Sequence, residues 1–255
     1  MAKLVCEASS VEQALELDVG NTAIKWRRLR GAEIIAYGRL AGGVDCLGQL
    51  LNAGDSLVRV ASVAYAERED QLRAILASSG IPYEFAVSQA SCAGVVNSYQ
   101  DVARMGVDRW LAMVAAYRMC RSACVVIDAG TALTIDIIGG DGRHRGGYIL
   151  PGASLMLKVL AEGTGKVRFG DEVGQSMAPG SNTGSCVHNG KWLGLVGAVI
   201  VAFREAEIVV GSRYQVFITG GDGLTLKKLA GEMAEAWQYN EDLVLDGLAP
   251  VLAKA

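Results

Sequence analysis

With 255 residues, 51% of them hydrophobic and 20% charged, the chain can fill a sizeable core, and disorder is excluded as the default. A formal charge of −3 and a pI near 5.5 give no positive field that would draw it to nucleic acid or an anionic membrane, so a small molecule is the expected partner. No apolar run reaches the roughly 20 residues of a membrane span, and the N-terminus has no apolar signal-peptide core. The expected location is the cytoplasm, where six cysteines without a CxxC pair read as reduced, mostly buried thiols rather than a zinc site or disulfide framework.

In chain order, residues 13–18 and 23–29 read as strands around the turn "DVGN", and 33–38 as a third strand of an antiparallel meander. "SLVRVASV" is a buried strand, and 67–79 is helical, with Leu72, Ile75 and Leu76 on one side and Gly80 and Pro82 closing it. From 108 the spacing of Trp110, Met113, Val114 and Tyr117 is helical, with Asp108 where an N-cap would stand. "ACVVIDAG" and "TALTIDII" then make two strands around a second turn, and "GGDGR" leads to a third strand toward "GGYIL". A loop-rich zone spans about 161–184. A helix through "GKWLGLVGAVIVAFREAE", a strand, glycine turn and helix start in "YQVFITGGDG", and an amphipathic tail complete the chain.

The patterns "LDVGNTAI" and "IDAGTALT" place Asp18 and Asp128 110 residues apart, each between two buried strands. One Asp-x-Gly is an ordinary turn. Two, each opening a half of similar size, point to a duplicated domain facing itself across a cleft. Each turn carries what nucleotide phosphates need: backbone amides, a hydroxyl or amine donor, and a hard oxygen for a cation. Around Asp18 these are Gly20, Asn21, Thr22 and Lys25, and around Asp128 they are Gly130 and Thr131. A third turn, "TGGDG" with Gly220 and Gly221, would let backbone approach a base or ribose. "LAEGTGKV" and "GGDGLTLKK" lack the spacings of a P-loop and of a dinucleotide-binding turn.

The two Asp-Gly turns and the late double glycine resemble the superfamily of acetate and sugar kinases, heat-shock ATPases and actin. More narrowly, "DVGNTAIKW", "NSYQDVARMGVDRW", "VIDAGTALTID", "GGYILPG" and "DLVLDGLA" resemble type III pantothenate kinases in order and spacing, from about residue 15 to 250. The resemblance implies an α/β fold of two duplicated actin-like (ribonuclease H-like) domains, residues 1–117 and 118–255, with a nucleotide cleft between them. The C-terminal tail would be free to pack back on the first domain.

It also implies ATP-dependent phosphorylation of pantothenate to 4'-phosphopantothenate, the first step toward coenzyme A, by a homodimer. Asp18, Val19, Gly20, Asn21, Thr22, Ala23, Ile24 and Lys25 would bind ATP, with Asp18 near magnesium, and Thr131, Gly220 and Gly221 would bind it from the second domain. Asp128 would help hold potassium or ammonium. Asp108 would be the general base, and Tyr99, Gly106, Val107, Asp108, Arg109 and Thr183 would contact pantothenate, with Arg109 on its carboxylate. The first thirteen or so residues are extra to the family pattern. Val102 and Met105 replace its Pro and Leu, and Ser185 and Cys186 stand where acidic and alanine residues are usual. Two alternatives stay open: the same fold acting on another small hydroxy compound, and a non-enzymatic accessory factor for transcriptional activation.

Overall fold

A computed structural model describes residues 12–21, 23–40, 43–170 and 174–253. The chain divides into two compact units, one comprising residues up to Val87 together with the C-terminal end from Leu252, the other Ser88–Val251.

In the first unit, β1 (Gln13–Val19), β2 (Ile24–Arg30) and β3 (Glu33–Leu40) form an antiparallel meander. The chain crosses to β4 (Leu57–Ser62), parallel to β1, and through helix α1 (Ala66–Ser79) to β5 (Tyr83–Phe85), parallel to β4. The sheet order is β3-β2-β1-β4-β5. Alternation along β1 sends Leu15, Leu17 and Val19 into a core shared with Val58, Val60, Leu72 and Leu76. Glu16 and Asp18 therefore share the opposite face. Glu16 is fully buried there, its two oxygens taken by Arg27 Nε at 2.7 Å and Arg59 Nη1 at 3.1 Å. A carboxylate out of water needs both partners.

The second unit begins with the short hairpin β6 (Ser91–Cys92) and β7 (Val95–Val96), then helix α2 (Val107–Cys120). Its sheet is built from β8 (Cys124–Ala129), β9 (Ala132–Ile138) and β10 (His144–Pro151), again an antiparallel meander. Helices α3 (Ala153–Gly163) and α4 (Thr183–Val210) follow, and then β11 (Gln215–Thr219), α5 (Gly223–Ala230), β12 (Gln238–Tyr239) and α6 (Leu243–Leu252). The order β10-β9-β8-β11-β12, with β8, β11 and β12 parallel, repeats that of the first unit strand for strand. Its core is larger and includes Ile127, Ile135, Trp192, Phe203 and Trp237.

Helix α2 packs against β8 and β9, and it buries every residue from Arg109 to Tyr117. Residues 88–117 accordingly group with the second unit, which differs from a division at 117. Helix α4 starts seven residues earlier than the apolar run from Gly190 indicates, and α3 falls in a stretch to which the sequence reading assigns no element. No described helix is long and apolar enough to cross a membrane.

Candidate active site

The first Asp turn closes through the Gly20 amide, which donates to the Ala23 carbonyl at 3.1 Å. Asp18 lies opposite Lys25 on β2 and Ala61 on β4. The Asn21 side chain is a strut: its Oδ1 accepts from the Tyr65 amide at 3.0 Å and its Nδ2 donates to the Val63 carbonyl at 3.4 Å. Arg68, in the first turn of α1, donates to the Asn21 carbonyl at 3.0 Å. Val19 and Ile24 are fully buried in the core, so their side chains face away from any ligand. Thr22 lies outside the described residues.

The second Asp turn is the structural counterpart of the first, with the Gly130 amide donating to the Ala132 carbonyl at 2.9 Å. Asp128 pairs in register with Thr134 on β9 and Thr219 on β11. Thr131 is exposed, and its carbonyl accepts from the Gly152 amide at 2.9 Å. The "TGGDG" turn packs directly on this site. Gly220 has φ +90°, and a Cβ there would strike the Ala129 carbonyl oxygen and lie 2.5 Å from Asp128 Oδ1, so glycine is required. Gly221 is exposed, and the next residue, Asp222, donates its amide to the Ala129 carbonyl at 2.8 Å. Burial pushes the Asp222 carboxyl up against the opposing charge of Lys191, whose ammonium burial pushes down.

The segment "GVDR" builds a third constellation at the start of α2. Gly106, not Asp108, is the N-cap, and Asp108 is the second helical residue. Its Oδ1 turns back to accept from the Arg109 amide at 2.7 Å. A Cβ on Gly106 would stand 2.6 Å from that oxygen, so the glycine makes room for the carboxylate. Burial pushes the Asp108 carboxyl above the ordinary range and the charge of Asp136 adds to this, against the pull of the Arg109 amide and guanidinium.

Arg109 is buried and grips Asp136 side-on, Nε to Oδ2 at 2.9 Å and Nη2 to Oδ1 at 2.6 Å, while Nη1 donates to the Tyr99 hydroxyl at 2.9 Å. Burial works against its charge, but the bonds to Asp136 and Tyr99 outweigh burial and hold the guanidinium above its ordinary pKa. His144 Nε2 lies 2.9 Å from Asp136 Oδ1, and its Nδ1 lies 2.8 Å from Ser98 Oγ. Val107, next to Asp108, is buried.

Thr183 joins none of the three constellations. It is the exposed first residue of α4 and lines an apolar groove of about 680 Å³ with Pro151, Met156, Leu160, Cys186 and Lys191. The two departures beside it have local explanations. Ser185 completes a capping box with Asn182, and Cys186 faces the groove.

The second unit thus brings Tyr99, Asp108 and Arg109 together, and separately Asp128, Thr131 and Gly220, while Asp18 to Lys25 belong to the first unit. The sequence alone did not assign Asp136 or His144 to the site. Their signal was an ionisable residue inside the apolar strand "TALTIDII", and one of only two histidines in the chain.

A family model described as type III pantothenate kinase matches residues 14–205. The chain is 39% identical to the type III pantothenate kinase of Pseudomonas fluorescens over 245 residues, 92% of this chain and 97% of the relative. Among solved structures, a conserved protein assigned to the Baf family of transcriptional activators from Campylobacter jejuni superposes with a TM-score of 0.60 at 21% identity, over 93% of this chain and 96% of that one. A protein assigned as an N-acetylmannosamine kinase from Listeria monocytogenes superposes at 0.51 and 12% identity, over 94% and 98%. The fold is therefore that of the actin-like and sugar kinase ATPases, and the chain belongs to the type III pantothenate kinase family.

Proposed function

We propose that this protein transfers the γ-phosphoryl group of ATP to the primary hydroxyl of pantothenate, giving 4'-phosphopantothenate. The observation that carries the chemistry is Asp108, a carboxyl that burial pushes above its ordinary range, set beside Arg109. Such a group takes the hydroxyl proton as the oxygen attacks phosphorus. Arg109 spends three of its five N–H groups on Asp136 and Tyr99. One N–H on each terminal nitrogen is left for the pantothenate carboxylate. Tyr99 steadies that fork, and Gly106 and Val107 shape the backbone around it.

In the first unit, the backbone from Asp18 to Ala23 and the ammonium of Lys25 take nucleotide phosphates, with Asp18 as the hard oxygen for magnesium. Among the described residues no group of three or more His, Cys, Asp or Glu could hold a metal ion. A single carboxylate suits an ion that keeps its waters and is otherwise held by phosphates. When bound, magnesium offsets charge developing on the phosphoryl oxygens. In the second unit, Thr131 donates to phosphate, Gly220 and Gly221 border the nucleotide, and Asp128 serves potassium or ammonium.

The working form is a homodimer. Leu193, Val201 and Ile208 on α4 are 59%, 54% and 78% exposed, an apolar stripe that a second copy would cover, and Thr183 at the head of that helix touches substrate in the assembled form. The enzyme acts in the cytoplasm. Purified protein with ATP and magnesium, offered pantothenate or a panel of sugars with and without potassium, tests the reading. Potassium-dependent turnover of pantothenate is expected, and turnover of a sugar with none of pantothenate would overturn it.

A further inference from the structure

Asp136 sits inside β9 and is 2% exposed, so its charge must be answered by the protein. It receives three hydrogen bonds, two from the side-on edge of Arg109 and one from His144 Nε2. Since the carboxylate only accepts, the proton of the His144 ring on that side is on Nε2, and in the neutral ring Nδ1 accepts the Ser98 hydroxyl. The His144 side chain is fully buried and its ring stands 6.2 Å from that of Tyr99, the other partner of Arg109. The backbone is shaped to this arrangement. A Cβ on Gly147, across from Asp136 on β10, would strike Asp136 Oδ1 and lie 3.0 Å from Arg109 Nη2.

A free arginine samples many rotamers, but here the side-on edge is locked and the orientation of the two remaining N–H groups is fixed with it. We propose that Asp136, itself held by His144 and Ser98, is the positioning residue of the acceptor site: it aims Arg109 at the carboxylate of the substrate. This rests on the reading of Arg109 as the acceptor's anchor. Asp136 touches no substrate and acts on the acceptor carboxylate through Arg109.

The test is steady-state kinetics on the full-length enzyme with Asp136→Asn, Arg109→Gln and the double variant. Asp136→Asn should raise KM for pantothenate about tenfold or more, the size of a lost charge-assisted hydrogen bond. KM for ATP should stay within about twofold, and the double variant should be no worse than Arg109→Gln alone. Multiplying penalties, or KM values for both substrates rising together, would overturn the proposal. His144→Gln, which keeps an N–H near the Nε2 position, should hold KM for pantothenate near that of the wild type, whereas His144→Leu should raise it. Equal effects of these two would also overturn the proposal, whether or not Asp136→Asn folds. Wild-type protein that ignores pantothenate would sink the kinase reading itself, a result distinct from any of these.

Discussion

The two units share one sheet order and one Asp turn, yet they hold that turn by different means. In the first, Asn21 is tied by its side chain to residues 63 and 65 and by its carbonyl to Arg68. The second lacks that side-chain strut and instead has the Gly220 backbone pressed against the Ala129 carbonyl and the Asp128 side chain, while the Asp222 amide bonds to the Ala129 carbonyl as the Val63 amide bonds to the Val19 carbonyl in the first. A side-chain strut can be lost and replaced by water, whereas a backbone contact tolerates no added atom. The duplicated scaffold therefore adds a side-chain strut at one Asp turn and a close glycine contact at the other, and α2, which carries Asp108, is built onto the unit with the glycine contact.

This contrast can be broken at either end. Gly220→Ala combines a left-handed backbone with a clash against a carbonyl, and should cost about 3 kcal/mol or more in denaturant unfolding of the second unit. Glu16→Gln leaves Arg27 and Arg59 facing an uncharged buried amide in the first unit, and should cost about 3 kcal/mol by the same measurement. Asn21→Ala should cost only about 1 kcal/mol of stability while raising KM for ATP, because water can replace the lost strut. An Asn21→Ala penalty equal to that of Gly220→Ala would erase the distinction between the two turns.

Asp108 supplies a prediction of opposite sign. Its folded-state pKa is raised by burial above the unfolded value of about 3.9, so the folded protein holds this proton longer. Its contribution to stability is present below that unfolded value and is lost as pH rises through the folded one. Asp108→Asn cannot ionise and should be at least as stable as wild type at pH 7, with the difference vanishing in acid. Thermal melts at pH 4 and pH 7 check this.

Much of the scaffold was legible in sequence because its signals are local. The strands around Asp18 and Asp128 follow from alternation and turn chemistry, and the repeat of "DVG" and "DAG" betrays the duplication. Long-range partners were not legible. Nothing near Arg109 in sequence announces Asp136, which lies 27 residues on and reaches it only when α2 packs on β9. The cap was misread because Asp108 has the right chemistry for an N-cap, while it stands two positions after the cap, its carboxylate bonded to the Arg109 amide. The start of α4 was hidden by the glycines and polar residues of "TGSCVHNG", although Asn182 and Ser185 hold the spacing of a capping box.

The most direct measurement is ATP- and pantothenate-dependent phosphorylation by wild type and Asp108→Asn across pH, with magnesium and potassium. The account predicts that wild-type kcat/KM rises with pH along an acid limb set by a carboxyl above the ordinary aspartate range. The variant should lose about 10²–10⁴ in kcat and that limb with it. A folded Asp108→Asn that keeps full turnover and the same pH profile would contradict it.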